Sequence, residues 1–298
     1  MSHSNRITTA LLQSLADIVQ SSGATAIFVY ADAVGHDDLP LLEAFQDKVY
    51  FIFRSSIGRN QQLECTRLIR VPDVAMTRLG QVKMAVFLAL SHGLVQRGDI
   101  IVCLTGVSSS GSLDSIIITE VGRESEIFAS ASGETRLPNN ILPQVVERVI
   151  DIAAELGNEG REGKPVGALF VVGDAEKVVS LSRQLIINPF KGYDPSERNV
   201  LDPRLEETMK ELSTIDGAFI ISGEGVVETC GAYLRTAAQD EEEYSLPQGL
   251  GARHHSAAGI TSATDSIAIT VSESTGTVAV FRGGRMVTAI EKPRSFRP

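Results

Sequence analysis

The sequence predicts an α/β protein of two domains, the first a parallel sheet covered by helices and the second a mixed sheet. Three observations predict it. The chain has 298 residues, and at about 150 residues per domain that length suggests two. Up to residue 120, apolar strand-like runs alternate with runs of helical period, the pattern of a parallel sheet with crossover helices. Beyond Ile215 the chain turns strand-rich with one interrupting helix, which does not describe a second doubly wound sheet.

Each element has its own signal. Leu11, Leu12, Leu15, Ile18 and Val19 repeat at helical spacing, so residues 8–22 form a helix that Gly23 can end. Residues 26–30 (AIFVY) read as a buried strand. A short helix around 41–45 precedes strands at 49–53 and 67–71. A longer helix over about 79–95 leads to strands at 99–105 and 115–120. Residues 122–140 are dominated by Gly, Ser, Glu and Arg and end in Leu-Pro-Asn-Asn, which places the domain boundary there. The division is 1–125, a linker 126–138, and 139–298. Pro143 suits the first turn of a helix over 143–156, whose apolar face carries Val145, Val146, Val149, Ile150, Ile152, Ala153 and Leu156, with Gly157 as its end signal. A strand at 168–172 and helices at 175–185 and 205–212 follow. Strands are expected at 218–221, 226–234, 266–271, 277–281 and 286–290, with the interrupting helix at 253–263.

Composition narrows the function classes. Apolar residues make up 43% and charged residues 21%, which is foldable and not disordered. Lys plus Arg total 27 against 37 Asp plus Glu, a formal charge of −10, which argues against a broad nucleic-acid surface. No apolar run approaches the roughly 18 residues of a membrane span, and MSHSNRITTA lacks the build of a signal peptide. The expectation is a soluble cytoplasmic protein without membrane contact. Cys65, Cys103 and Cys230 lie too far apart in sequence for a dense disulfide framework, and no CxxC pair points to zinc. The acidic run 240–243 and the basic residues after Phe281 (Arg282, Arg285, Lys292, Arg294 and Arg297) read most simply as solvated segments.

Three stretches could carry chemistry. In Gly249–Gly259 (GLGARHHSAAG), glycines let backbone approach a ligand, and small residues open a helix whose N-terminal amides attract anions. Arg253, His254 and His255 add donors or charge at that end, where Arg can clamp phosphate in a bidentate way. A plain helix start with surface side chains explains the spacing equally well. Asp216-Gly217-Ala218 is either a common Asp-Gly turn or a carboxylate placed near phosphates, where it would hold Mg²⁺ or Mn²⁺. Val271–Gly276 (VSESTG) is either a hairpin turn or a site element in which Ser272 donates to a phosphate and Glu273 is a second acid.

Taken in order, the segments EGREGKPVG (159–167), ALFVVGD (168–174), NPFKGY (188–193), DGA (216–218), CGAYL (230–234), GARHHSAAG (251–259) and VSESTG (271–276) resemble the diadenylate cyclase (DAC, or DisA-N-type) domain over about residues 142–290. The resemblance implies a mixed-sheet α/β enzyme that joins two ATP molecules into cyclic di-AMP and releases two pyrophosphates. It implies Asp216 as the catalytic and metal-associated carboxylate, with Mn²⁺ or Mg²⁺ as cofactor. Gly217, Ala218 and Gly251 would line the nucleotide, and Tyr233 and Leu234 would sit against adenine and ribose. Arg253, His254 and His255 would lie at the phosphates, with Ser272 and Glu273 completing the site. Where many members read Thr-Arg-His-Arg, this chain reads Ala252-Arg253-His254-His255. It loses a hydroxyl and replaces a fixed charge with a group neutral near pH 7. Because each new bond joins one ATP to another, the family chemistry implies a homo-oligomer with facing domains. The alternative of a different class is a non-catalytic sensor of ATP or cyclic di-AMP; a structural scaffold with a decayed site is a third.

Residues 82–106 (VKMAVFLALSHGLVQRGDIIVCLTG) and 111–118 resemble the C-terminal α/β domain of pyruvate kinase. That likeness implies a Rossmann-like parallel-sheet domain with a role in oligomerisation or regulation. Its Ser108–Gly111 loop is either an anion site or a plain surface loop.

Overall fold

Apolar strands fix the layout of both halves of the chain. The computed structural model describes residues 3–34, 44–54, 67–107, 110–123, 137–235 and 249–290. The described residues fall into two compact units, one within 1–131 and the other within 132–292.

The first unit runs α1 (His3–Ser22), β1 (Ala26–Tyr30), β2 (Val49–Arg54), β3 (Leu68–Val71), α2 (Arg78–Ser91), β4 (Ile100–Thr105) and β5 (Ser115–Glu120). The sheet order is β3-β2-β1-β4-β5. β1 pairs in parallel with β2 and β4, and β2 with β3. β5 is antiparallel to β4, which corrects the expectation of a wholly parallel sheet. The link 106–114 is shorter than the dozen or so residues a parallel crossover needs. Leu12, Leu15 and Val19 of α1 pack on Ile27, Val29, Val102 and Leu104, so the helical spacing of the sequence marks the buried stripe. The helix expected over 79–95 is shorter. Gly93 turns left-handed at φ 67, and the Gly93 and Leu94 amides donate back to the Leu90 and Ala89 carbonyls, a Schellman stop. The expected helix at 41–45 lies largely outside the described residues, as does most of the segment 122–140.

The second unit runs α3 (Pro143–Glu159), β6 (Ala168–Val172), α4 (Ala175–Ser180), β7 (Ser182–Gln184), α5 (Glu206–Leu212), β8 (Ala218–Ile221), β9 (Val227–Leu234), α6 (Ala252–Ala263), β10 (Ile267–Val271), β11 (Val278–Arg282) and β12 (Arg285–Ile290). Its sheet is ordered β12-β11-β10-β6-β8-β9-β7. β6 and β8 are parallel, while the other neighbours are antiparallel, so the sheet is mixed as expected. Ala257, Ala258 and Ile260 of α6 pack with Leu169, Val171, Ile220, Ala268 and Phe281. The α3 residues read as an apolar face are buried. Lys210 joins α5 to α3 through Glu155, and Glu206 pairs with Arg148 at 2.6 Å, which anchors the segment leading to Asp216.

Three expectations change here. α3 does not stop at Gly157 but at Gly160, which is left-handed at φ 65. Gly157 is glycine for packing, since a Cβ there would lie 2.3 Å from the Gly276 carbonyl oxygen. The helix expected over 175–185 ends at Ser180, and residues 182–184 pair with β9 instead. A six-residue helix has little stability of its own, and the pairing satisfies the backbone of an otherwise open edge. Arg282 and Arg285 belong to the β11–β12 hairpin; residues 291–298 and the acidic run 240–243 lie outside the described residues. No helix among the described residues is long and apolar enough to cross a membrane.

Phe170 is fully buried and stacks on Phe219 with ring centroids 5.0 Å apart. Phe170→Ala is expected to cost about 3–5 kcal/mol, read as a lowered urea midpoint; a loss below about 1 kcal/mol would contradict this placement in the core.

Candidate active site

The pairing of β6 with β10 and of β8 with β9 brings four sequence-distant segments to one end of the second sheet. Ala168 lies opposite Val271, and Ala218 opposite Ala232. The segments before β6 and β8 therefore meet the ends of β9 and β10, and the start of α6 joins these four. They enclose a cleft of about 1250 Å³. Of the residues expected at the site, Asp216, Gly217, Ala218, Tyr233, Leu234, Gly251, Arg253, His254, Ser272 and Glu273 line it. His255 does not line it and is exposed. On a helix each residue turns about 100° from the last, so the buried side chain of His254 carries its neighbour outward.

Arg253 organises the charge. Its Nη2 lies 3.5 Å from Asp216 Oδ1 and its Nη1 3.3 Å from Glu273 Oε2. The Asp216 side chain is 91% exposed, so its carboxylate is available to a ligand without unfolding anything. Gly251 is the N-cap of α6 and supplies no side-chain cap, leaving first-turn amides open to an acceptor. His254 lies edge-on to Phe281 with ring centroids 5.9 Å apart. Tyr233 is half-exposed, with the Arg183 guanidinium 5.1 Å from its ring centroid, a cation–π distance.

Backbone constraints shape the rest. Gly217 has φ 110, and a Cβ on it would lie 2.6 Å from the Gly231 carbonyl carbon. A side chain there would push β9 away from the residue that follows Asp216. Gly217→Ala is expected to lose about 1–3 kcal/mol through backbone strain, measured by urea unfolding; an unchanged midpoint would count against this reading of the turn. Val271–Gly276 is both things the sequence left open. It turns β10 into β11, with Gly276 N–H donating to Ser272 O at 2.8 Å, and its Ser272, Glu273, Ser274 and Thr275 line the cleft.

Residues 155–286 match the DAC family, described as "DisA bacterial checkpoint controller nucleotide-binding". A diadenylate cyclase of Haloferax volcanii is 35% identical over 240 residues, covering 79% of this chain and 84% of the relative. The chain belongs to the diadenylate cyclase family. A second diadenylate cyclase, from Methanocaldococcus jannaschii, is 38% identical over 67% of this chain and 62% of its own length. The crystal structure of DacA from Staphylococcus aureus superposes with a TM-score of 0.32 at 21% identity, covering 48% of this chain and 84% of that one. Residues 8–128, where a likeness to pyruvate kinase was expected, match a family described as a probable sensor domain, DacZ_P.

The cleft of this diadenylate cyclase also uses residues that sequence reasoning did not assign. Gly167 does not line the cleft itself but backs its Arg253–Glu273 pair. A Cβ there would lie 2.5 Å from Arg253 Nη1 and 3.1 Å from Glu273 Cβ, so glycine makes room for the pair. The signal was present as a glycine directly before a buried strand, but the partner that needs the space is 86 residues further along the chain. Pro165, Ser256, Ser274 and Thr275 were likewise not assigned.

Among the described residues no three His, Cys, Asp or Glu side chains gather as a metal cluster. Asp216 and Glu273 nonetheless flank one guanidinium. Two carboxylates suit a hard divalent ion that takes its remaining ligands from phosphate and water.

Burial holds the His254 imidazole below its ordinary pKa, and the neighbouring His255 and Arg253 add to the effect. As pH falls through about 6.5 the unfolded chain takes up a proton that the folded chain does not. The stability His254 contributes above that range is therefore lost on acidification. The gap in urea midpoint between the wild type and His254→Gln should narrow from pH 7.5 to pH 5; a constant gap would overturn this.

Proposed function

We infer that the protein condenses two ATP molecules into cyclic di-AMP with release of two pyrophosphates, and that residues 139–298 form the catalytic domain. The observation that carries the reading is Arg253, set between Asp216 and Glu273 at the uncapped start of α6, within a cleft large enough for a nucleotide.

In each of two equivalent steps the 3′-oxygen of one ATP bonds to the α-phosphorus of the other, and the bond from that phosphorus to the β-phosphate bridge breaks. One proton leaves each hydroxyl and one pyrophosphate leaves each ATP. Attacking and leaving oxygens must lie roughly in line. One cleft positions one ATP, so two copies of the domain face each other about a twofold axis and the same residues serve both bonds. Held in that geometry, the reactants gain about 7–11 kcal/mol over free encounter.

Tyr233 and Leu234 form the wall against adenine and ribose, and Gly217 and Ala218 bring bare backbone to the nucleotide. The amides following Gly251, with neutral His254 and Ser272, donate to phosphate oxygens. Arg253 offsets charge on the departing pyrophosphate. Asp216, with Glu273 beside it, would hold Mn²⁺ or Mg²⁺. That ion would neutralise phosphate charge and lower the pKa of the attacking hydroxyl. His255 is left out of the set because it faces away from the cleft.

The N-terminal unit, within the proposed domain 1–125, acts in regulation or assembly. Its order of β3-β2-β1-β4 in parallel supports a Rossmann-like reading, and the sensor-domain match supports regulation.

The test is to supply ATP with Mn²⁺ or Mg²⁺ and look for cyclic di-AMP by mass spectrometry across protein concentrations. Product is expected, with specific activity rising with concentration until facing pairs saturate. A rise in Tm with ATP but no product at any concentration would overturn catalysis in favour of a sensor.

A further inference from the structure

Gly157 stands inside α3, before the Gly160 that ends the helix. Its backbone is helical, and glycine weakens a helix relative to alanine. What it permits is contact. A Cβ there would lie 2.3 Å from the Gly276 carbonyl oxygen and 3.2 Å from its carbon, so the bare backbone of α3 meets the turn between β10 and β11. Both atoms are main chain, which cannot swing aside as a side chain can.

That turn carries Ser272 and Glu273 into the cleft, and it is tied to itself. The Gly276 amide donates to Ser272 O at 2.8 Å and the Ser272 amide to Thr277 O at 2.9 Å. The Thr275 hydroxyl donates to Thr277 Oγ1 at 2.9 Å. A push at Gly276 therefore moves Ser272 and Glu273 with it. At the other end of the turn Glu273 lies against Gly167, where a Cβ would stand 3.1 Å from Glu273 Cβ. The turn is thus seated between two glycines. A cavity of about 230 Å³ between it and the end of α3 gives it room to shift. The helix has no such room, because Val149, Ile152, Ala153 and Leu156 are buried and Glu155 is bound to Lys210.

We propose that Gly157 is a positioning residue for the cyclase reaction. By letting Gly276 rest directly on α3, it holds Ser272 and Glu273 where the phosphates and the divalent ion need them. The proposal rests on the roles given above to Ser272 and Glu273 and adds what sets their place. A methyl group on Gly157 needs the usual carbon–oxygen separation of about 3.3 Å, which drives the turn outward by about 1 Å. Glu273 then leaves its distance from Arg253 and Asp216, while the wall formed by Tyr233, Leu234, Gly217 and Ala218 stays as it is.

The test compares the wild type with Gly157→Ala and with Asn158→Ala, an exposed neighbour on α3, in the full chain. In Gly157→Ala the kcat for cyclic di-AMP should fall about ten- to a hundredfold, the scale of a misplacement of about 1 Å. The Mn²⁺ concentration giving half the maximal rate should rise about tenfold or more, as when a supporting group of a metal site is disturbed. Inhibition by adenosine, which has no phosphates, should stay unchanged. Hydrogen exchange followed by mass spectrometry should quicken over 272–277 and not over α3. Asn158→Ala should match the wild type throughout. A kcat for Gly157→Ala within about threefold of the wild type overturns the proposal. So does a lower kcat with the wild-type Mn²⁺ dependence, or faster exchange throughout α3, which are the signs of a helix that has merely loosened. A variant too unstable to purify has lost the helix and not the turn, and overturns it as well. If the wild type makes no product, the catalytic reading fails by itself. Exchange over 272–277 and the Mn²⁺ dependence of ATP binding by calorimetry then decide the seat, where equal values in the wild type and Gly157→Ala overturn it.

Discussion

Asp216→Asn is expected to leave the protein folded and to reduce cyclic di-AMP formation by at least about a hundredfold, the scale on which single electrostatic groups act in active sites. The two halves of that expectation come from the same geometry. The side chain is 91% exposed and its recorded partner is Arg253 at 3.5 Å, so exchanging one oxygen for an amide removes no packing. Asparagine keeps the shape and loses the charge. It no longer attracts a divalent ion and no longer balances Arg253. The Tm should move by no more than a degree or two, and ATP should still raise it. Initial rates followed by chromatography decide the matter: turnover within threefold of the wild type would reject Asp216 as the catalytic carboxylate.

Arg253→Ala should act differently. Its guanidinium bridges two carboxylates. Removing it leaves two acids side by side and takes away the guanidinium that offsets the phosphates entering between them. A charge-assisted hydrogen bond of this kind is worth about 1.5–3 kcal/mol, which converts to roughly 10- to 150-fold in kcat/KM. The loss should fall mainly on the KM for ATP. Arg253→Lys should recover little, because an ammonium is a point charge and cannot reach two carboxylates with a planar fork. An unchanged dependence of rate on ATP in Arg253→Ala would remove Arg253 from the phosphate site. The Gly167 backbone supports the assignment, since its missing side chain is the space the guanidinium occupies.

The sequence by itself determined the local features whose cause lies within a few residues. β1, β5, β6 and β8 span the residues their apolar runs marked, because a buried strand announces itself by a short apolar stretch between breaks. The buried face of α3 was legible in its spacing. The motif order between residues 142 and 290 was enough to point to the diadenylate cyclase family. Tertiary structure decided what depends on a distant partner. The direction of β5 was set by the length of its link to β4, and the end of α4 by the open edge of β9. Gly157 read as a stop signal because nothing near it in sequence showed the Gly276 carbonyl pressing on that face of the helix. His254 and His255 are equivalent as letters, and only packing of one ring against Phe281 turned the other outward. Short-range propensity is written in neighbouring residues, whereas close approach and charge pairing arise between residues that only the folded sheet makes neighbours.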